Sequence, residues 1–153
     1  MIDFSVDIND LVAQLERDST VSIEEKKQIL EVLNDETDDE QLSIKMEVLA
    51  KDFLGEDSTT QEEWALVSGG DRGSFVDEYK KQIYKLICTE SEEYKEDRLA
   101  LSSHSKSLLQ IAISIATTTY SVSLAVVSAT IYCILIPILK LGKNAYCSMH
   151  HVS

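Results

Sequence analysis

The chain has 153 residues, with 27 acidic residues against 14 lysines and arginines, a formal net charge of −13 at pH 7. All the acids fall between Asp3 and Asp97, whereas residues 99–153 carry three lysines and no acid. That charge argues against general nucleic-acid binding by the N-terminal part, and the length allows one soluble domain of about 100 residues plus a membrane segment.

Met1 to Asp10 carries three aspartates and no basic residue, so no secretory signal is expected there. Ile8, Leu11, Val12 and Leu15 then recur at helical spacing. Ser22-Ile23-Glu24-Glu25 has the form of a capping box and starts a second helix through Ile29, Val32 and Leu33, which ends at Asn34 to Glu36. Thr37-Asp38-Asp39-Glu40 repeats that pattern and opens a third, with Leu42, Met46, Leu49 and Phe53 inside and Gly55 closing it. Ser58-Thr59-Thr60-Gln61 starts a fourth helix bearing Trp64 and Val67. Acids in successive first turns suit the helix dipole, and the expected fold is all-α, beginning with an acidic helical domain over 1–70.

Gly69, Gly70 and Gly73 mark a glycine-rich break that reads as a turn or hinge. It lacks the Gly-Lys-Ser or Gly-Lys-Thr of a phosphate loop. Val67-Ser68-Gly69-Gly70 also resembles the double-glycine end of a bacteriocin leader, which implies a precursor cleaved after Gly70. Ser74 then caps an amphipathic stretch with Phe75, Tyr79, Ile83 and Leu86 on one face. No Gly or Pro occurs between Gly73 and Pro137, so the connecting segment 71–106 is expected to continue as helix into the uncharged run beyond it.

Ser107 to Leu139 is the segment that organises the chain: 33 consecutive residues without Asp, Glu, Lys, Arg or His. About 20 helical residues cross a bilayer, so a transmembrane helix is expected over 107–139, with a short tail over 140–153. Ser107, Ser114, Ser121 and Ser128 recur every seven residues, and Gln110 and Thr117 come three after the first two. On one continuous helix these six side chains form a polar stripe, suited to line a pore or to pack against partner helices. Ala125 and Ala129 make a small-xxx-small pair for the packing alternative. Both alternatives imply a homo-oligomer in the lipid bilayer. Arg98 and Lys106 on one side and Lys140 and Lys143 on the other do little to fix orientation, and the N-terminal part is expected in the cytoplasm beneath the inner membrane.

No catalytic constellation, metal site or cofactor site is expected. Asp38-Asp39, Glu24-Glu25 and Glu62-Glu63 sit at helix starts where capping accounts for them, His104 stands alone, and His150-His151 lack a ligand set. Tyr79, Tyr84 and Tyr94 read as core. Cys88, Cys133 and Cys147 have neither metal nor redox spacing, so no disulfide is expected; Cys133 reads as an apolar residue of the span and Cys147 as a palmitoylation candidate.

A helical head, a C-terminal span and the Leu139-Lys140-Leu141-Gly142-Lys143-Asn144-Ala145-Tyr146-Cys147 ending together resemble the small transmembrane effectors of bacterial anti-phage defence, the Hailong type among them. The resemblance implies membrane depolarisation and growth arrest. It also implies a regulatory protein, or a nucleotide-type ligand from a companion nucleotidyltransferase, as controlling partner. The expected function is a membrane effector that oligomerises into an ion-conducting pore or disrupts the bilayer. The alternatives are the bacteriocin-type precursor and a tail-anchored adaptor.

Overall fold

The computed structural model describes residues 8–35, 38–54, 75–103 and 106–149. Across them the chain is all-α, with one long apolar helix near its C-terminal end. The helices are α1 (Ile8–Arg17), α2 (Ile23–Asp35), α3 (Asp39–Leu54), α4 (Phe75–Cys88), α5 (Lys95–Ser102), α6 (Leu108–Ser114), α7 (Leu124–Leu141) and α8 (Lys143–Met149). A 3-10 turn at Glu92–Tyr94 precedes α5, and a π turn at Ile115–Thr119 extends α6. The fourth N-terminal helix, Gly55, the Gly69-Gly70-Gly73 break, the double-glycine sequence and all three histidines lie outside the described residues.

Local hydrogen bonding explains where the first helices start. The Ser22 amide donates to Glu25 Oε1 (2.9 Å) and the Glu25 amide to Ser22 Oγ (3.1 Å), completing the capping box of α2. At α3 Asp38 caps, its carboxylate taking the Glu40 amide at 2.9 Å.

The connecting helix expected to run on into the membrane segment instead stops at Cys88. Short polar side chains end it by offering the backbone other partners. Thr89 Oγ1 donates to the Lys85 carbonyl (2.6 Å) and accepts the Ser91 amide (3.3 Å). Arg98 folds back and donates to the carbonyls of Lys85, Leu86 and Ser91, satisfying the exposed C-terminal end of α4. Ser107 and Gln110 then form a second complete capping box and start α6 afresh.

The 33-residue uncharged run is therefore two helices, not one. After the π turn the chain leaves helix, passes through Ser121 at φ +56°, and re-enters helix at Leu124. Tyr120 sets that corner. Its ring meets Phe75 edge-on at 5.4 Å and Tyr79 at 6.4 Å, and its hydroxyl reaches the Glu78 carbonyl at 3.4 Å. Tyr79 is fully buried and donates to the Ala112 carbonyl (2.5 Å), so α4 and α6 are joined by an aromatic cluster with satisfied hydroxyls. Burial pushes the Tyr79 phenol well above its ordinary range, so it stays a neutral donor.

The core is built around α7. Leu11 and Leu15 of α1, Ile29 of α2 and Leu42, Met46 and Ala50 of α3 are buried, and α7 packs mainly against α3 and then against α1. On the outer side the Lys51–Asp77 (3.4 Å) and Lys80–Glu47 (3.2 Å) ion pairs link α3 to α4, and Lys51 also pairs with Glu47 (3.7 Å) within α3. Part-exposed pairs of this kind contribute little to stability.

Candidate functional site

Among the described residues, α7 is the helix long and apolar enough to cross a membrane, judged by length and composition. The buried core helix of a soluble bundle meets the same test. Its 18 residues give roughly 27 Å at about 1.5 Å each, close to the roughly 30 Å of bilayer hydrocarbon. The twelve consecutive residues Val127 to Ile138 are all buried, so every face of that part of the helix is covered, whereas Ala125 and Val126 in its first turn are exposed. A helix apolar all round needs such a sheath in water or a bilayer around it.

Among the described residues, hydrogen bonds at Ser128, Thr130, Tyr132 and Lys140 fasten α7 to the acidic helices. Tyr132 donates to Asp18 Oδ2 at 2.8 Å, in the turn between α1 and α2. Beside it, the Thr20 hydroxyl lies 2.5 Å from Asp18 Oδ1 and 2.6 Å from Ser128 Oγ, while the Thr20 amide donates to the same Asp18 oxygen at 2.9 Å. Ser128 and Tyr132 are four apart on one helix face, so a single turn of α7 meets both Asp18 and Thr20. On another face Thr130, fully buried, donates to the Ala50 carbonyl of α3 (3.1 Å). At the far end Lys140 Nζ reaches the Leu33 carbonyl of α2 at 3.5 Å.

Burial of Asp18 raises its pKa, but the hydrogen bonds from Thr20 and Tyr132 and the nearby Lys26 ammonium outweigh it and hold the carboxyl below its ordinary value. Asp18 is thus a carboxylate at neutral pH, and its bond to Tyr132 is charge-assisted.

The six residues of the expected stripe fall apart in this fold. Ser107 and Gln110 are spent on the cap of α6. Ser114 and Ser121 are exposed, and Thr117 bonds back to the Ile113 carbonyl at 2.9 Å. Of the six, Ser128 alone lies on α7, and it bonds both back to the Leu124 carbonyl and across to Thr20. The reason is register: a heptad repeat makes a stripe only along one uninterrupted helix, and the π turn and the Ser121 corner interrupt it. Ala129 is buried and Ala125 exposed. The residues not singled out from the sequence are Asp18, Thr20, Thr130 and Tyr132. Asp18-Ser19-Thr20 between two apolar periodic segments is a legible turn signal, but nothing local marks its contact with residue 132.

The cysteines also depart from expectation. Cys88 and Cys147 form a disulfide, with Cα atoms 5.6 Å apart, so Cys147 is not the lone thiol that lipidation would need. A separation of 59 residues carries no local pairing signal; the fold brings the two together because Gly142 (φ +89°) reverses the chain after α7 and lays α8 against α4. Tyr146 anchors α8, its ring buried. Cys133 is a buried free cysteine within α7, as expected of an apolar residue there. Beside it, Ser43, Glu47, Lys80, Ile134, Pro137 and Tyr146 line a small, half-open gap with room for about one water. Among the described residues no group of three or more His, Cys, Asp or Glu could hold a metal ion.

Comparison with family models, with characterised proteins and with solved structures returns no match.

Proposed function

We propose that the chain is a membrane effector whose described fold is the closed form, with the spanning segment stored inside an acidic helical sheath. The observation that carries this reading is α7 itself: bilayer length, uncharged over its first 16 residues, and buried on all faces from Val127 to Ile138. Solvent exposure of such a helix is costly, at about 25 cal/mol per Å² of apolar surface, whereas transfer from sheath to bilayer keeps it out of water. Release therefore exchanges one apolar environment for another.

The same face that bonds the Asp18 turn supplies the working surface after release. Ser128 and Tyr132 lose their partners when α7 leaves α1, and hydroxyls in hydrocarbon seek a lumen or a second helix. Self-association through this face gives an oligomer, and a water-lined oligomer conducts where one helix does not. The anti-phage role under control of a companion partner rests on the resemblance of layout alone.

The burial of α7 equally favours a second reading, in which it is the permanent core of a bundle that never enters lipid. Membrane potential separates the two. Expression in bacteria loaded with a voltage-sensitive dye should depolarise the cells, with the chain resistant to carbonate extraction. A variant with residues 124–141 replaced by polyleucine should still insert but depolarise weakly, because it lacks Ser128 and Tyr132. A wild type that stays in the soluble fraction and leaves the potential unchanged refutes the effector reading and supports the permanent core.

A further inference from the structure

The Cys88–Cys147 bond bears directly on whether α7 can cross a bilayer, the event on which the membrane reading depends. Cys88 ends α4, a helix carrying Asp77, Glu78, Lys80, Lys81 and Lys85 that cannot enter hydrocarbon. If α7 spans, Leu141 reaches the far face and Cys147 lies six residues beyond it. The bond keeps the Cys147 Cα 5.6 Å from that of Cys88 on the near face.

Six residues stretch to at most about 20 Å, short of the roughly 30 Å of hydrocarbon that they would have to recross. They would also carry Lys143, Asn144 and an unpaired backbone through the bilayer core. Insertion as a hairpin, which would return Cys147 to the near face, fails on length. The arm before the corner, Leu108–Thr119, has 12 residues and reaches less than about 20 Å. An intact bond and a transbilayer α7 are mutually exclusive.

We infer that Cys88–Cys147 is a redox latch, opened by a dithiol reductant and closed by the reverse exchange with that reductant's cyclic disulfide, that decides whether α7 can leave the sheath; the latch rests on the membrane reading of α7. Both cysteines are half-buried, unlike Cys133, which is fully buried. A thiolate of the dithiol attacks one sulfur, the Sγ–Sγ bond breaks, and a mixed disulfide forms. The second thiol of the reductant then displaces the remaining cysteine. The products are the Cys88 and Cys147 thiols and the cyclic disulfide of the reductant, a two-electron exchange. After reduction α8 is held by the seating of Tyr146 and by no covalent tie. Reducing surroundings favour the open form and oxidising ones the closed form.

The test uses the oxidised full-length protein, vesicles of phosphatidylcholine and phosphatidylglycerol with an entrapped dye, and dithiothreitol. Trypsin added outside reads topology at Lys143, since a spanning α7 carries that site into the lumen. Oxidised protein should release no dye and keep Lys143 cleavable. Reduced protein should release dye and protect Lys143 at least tenfold. Cys88→Ser with Cys147→Ser should behave as reduced protein with or without dithiothreitol, after circular dichroism confirms its helical content. Equal dye release and Lys143 protection by oxidised and reduced wild type overturns the latch and leaves the membrane reading standing. Failure of reduced wild type and of the serine variant alike to insert overturns both.

Discussion

Replacing Tyr132 by Phe removes one hydroxyl and nothing else, so it isolates the bond to Asp18 (2.8 Å) from the packing of α7. A hydrogen bond to a charged group contributes roughly 1.5–3 kcal/mol when dry. Asp18 is part-exposed, and water compensates some of the loss, so the expected cost is about 1 kcal/mol. For a chain of this length that lowers Tm by roughly 3 °C. The assay is urea denaturation of the wild type, Tyr132→Phe, Asp18→Asn and the double variant at neutral pH. The expected coupling between the two positions is about 1 kcal/mol, with the double variant less destabilised than the sum of the singles. A neutral Tyr132→Phe, or additive singles, refutes the claim that this bond fastens α7 to the α1–α2 turn.

The same pair yields a pH dependence. Because the folded Asp18 pKa lies below its ordinary value of 3.8, its contribution is complete above that pH and is lost as pH falls through the lower folded value. The wild type should therefore lose stability below pH 3.8 more steeply than Asp18→Asn, measured by thermal melts across the acid range. The disulfide bridges a separation of 59 residues, for which loop closure gives about 4 kcal/mol; Cys88→Ser should lower Tm by roughly 10 °C without dithiothreitol and match the wild type with it. Ser121→Gly should raise stability by about 0.5 kcal/mol in urea denaturation, because glycine takes a φ of +56° without the clash a Cβ brings. A loss instead would mean that the Ser121 side chain has a role at the corner.

In the proposed effector, the polar contacts and the disulfide are the two fastenings that would have to open before α7 could leave its sheath. One is a set of hydrogen bonds between the Asp18 turn and a single turn of α7. The other is covalent and acts at the opposite end, through α8 and α4.

The starts of α1 and α2 and the inner residues of α3 are legible in the sequence because their causes are local. A capping box needs a hydroxyl and, three residues on, a Glu or Gln side-chain oxygen, and Ser22 with Glu25 supplies both. The all-α character and the apolar C-terminal helix come from the same short-range patterns. Ser107 and Gln110 obey that grammar too, yet within an uncharged run their heptad spacing with Ser114, Ser121 and Ser128 reads as a stripe. Their role is settled by the corner at Ser121, and that corner depends on Tyr120 seating between Phe75 and Tyr79, some 45 residues earlier in the chain. The sheath around α7, the Asp18–Tyr132 bond and the Cys88–Cys147 bond are likewise tertiary. Composition determines that residues 124–141 must be hidden from water. Only the packing of amphipathic helices decides what hides them, because burial is non-directional and any apolar surroundings, bilayer or sheath, meet the same demand.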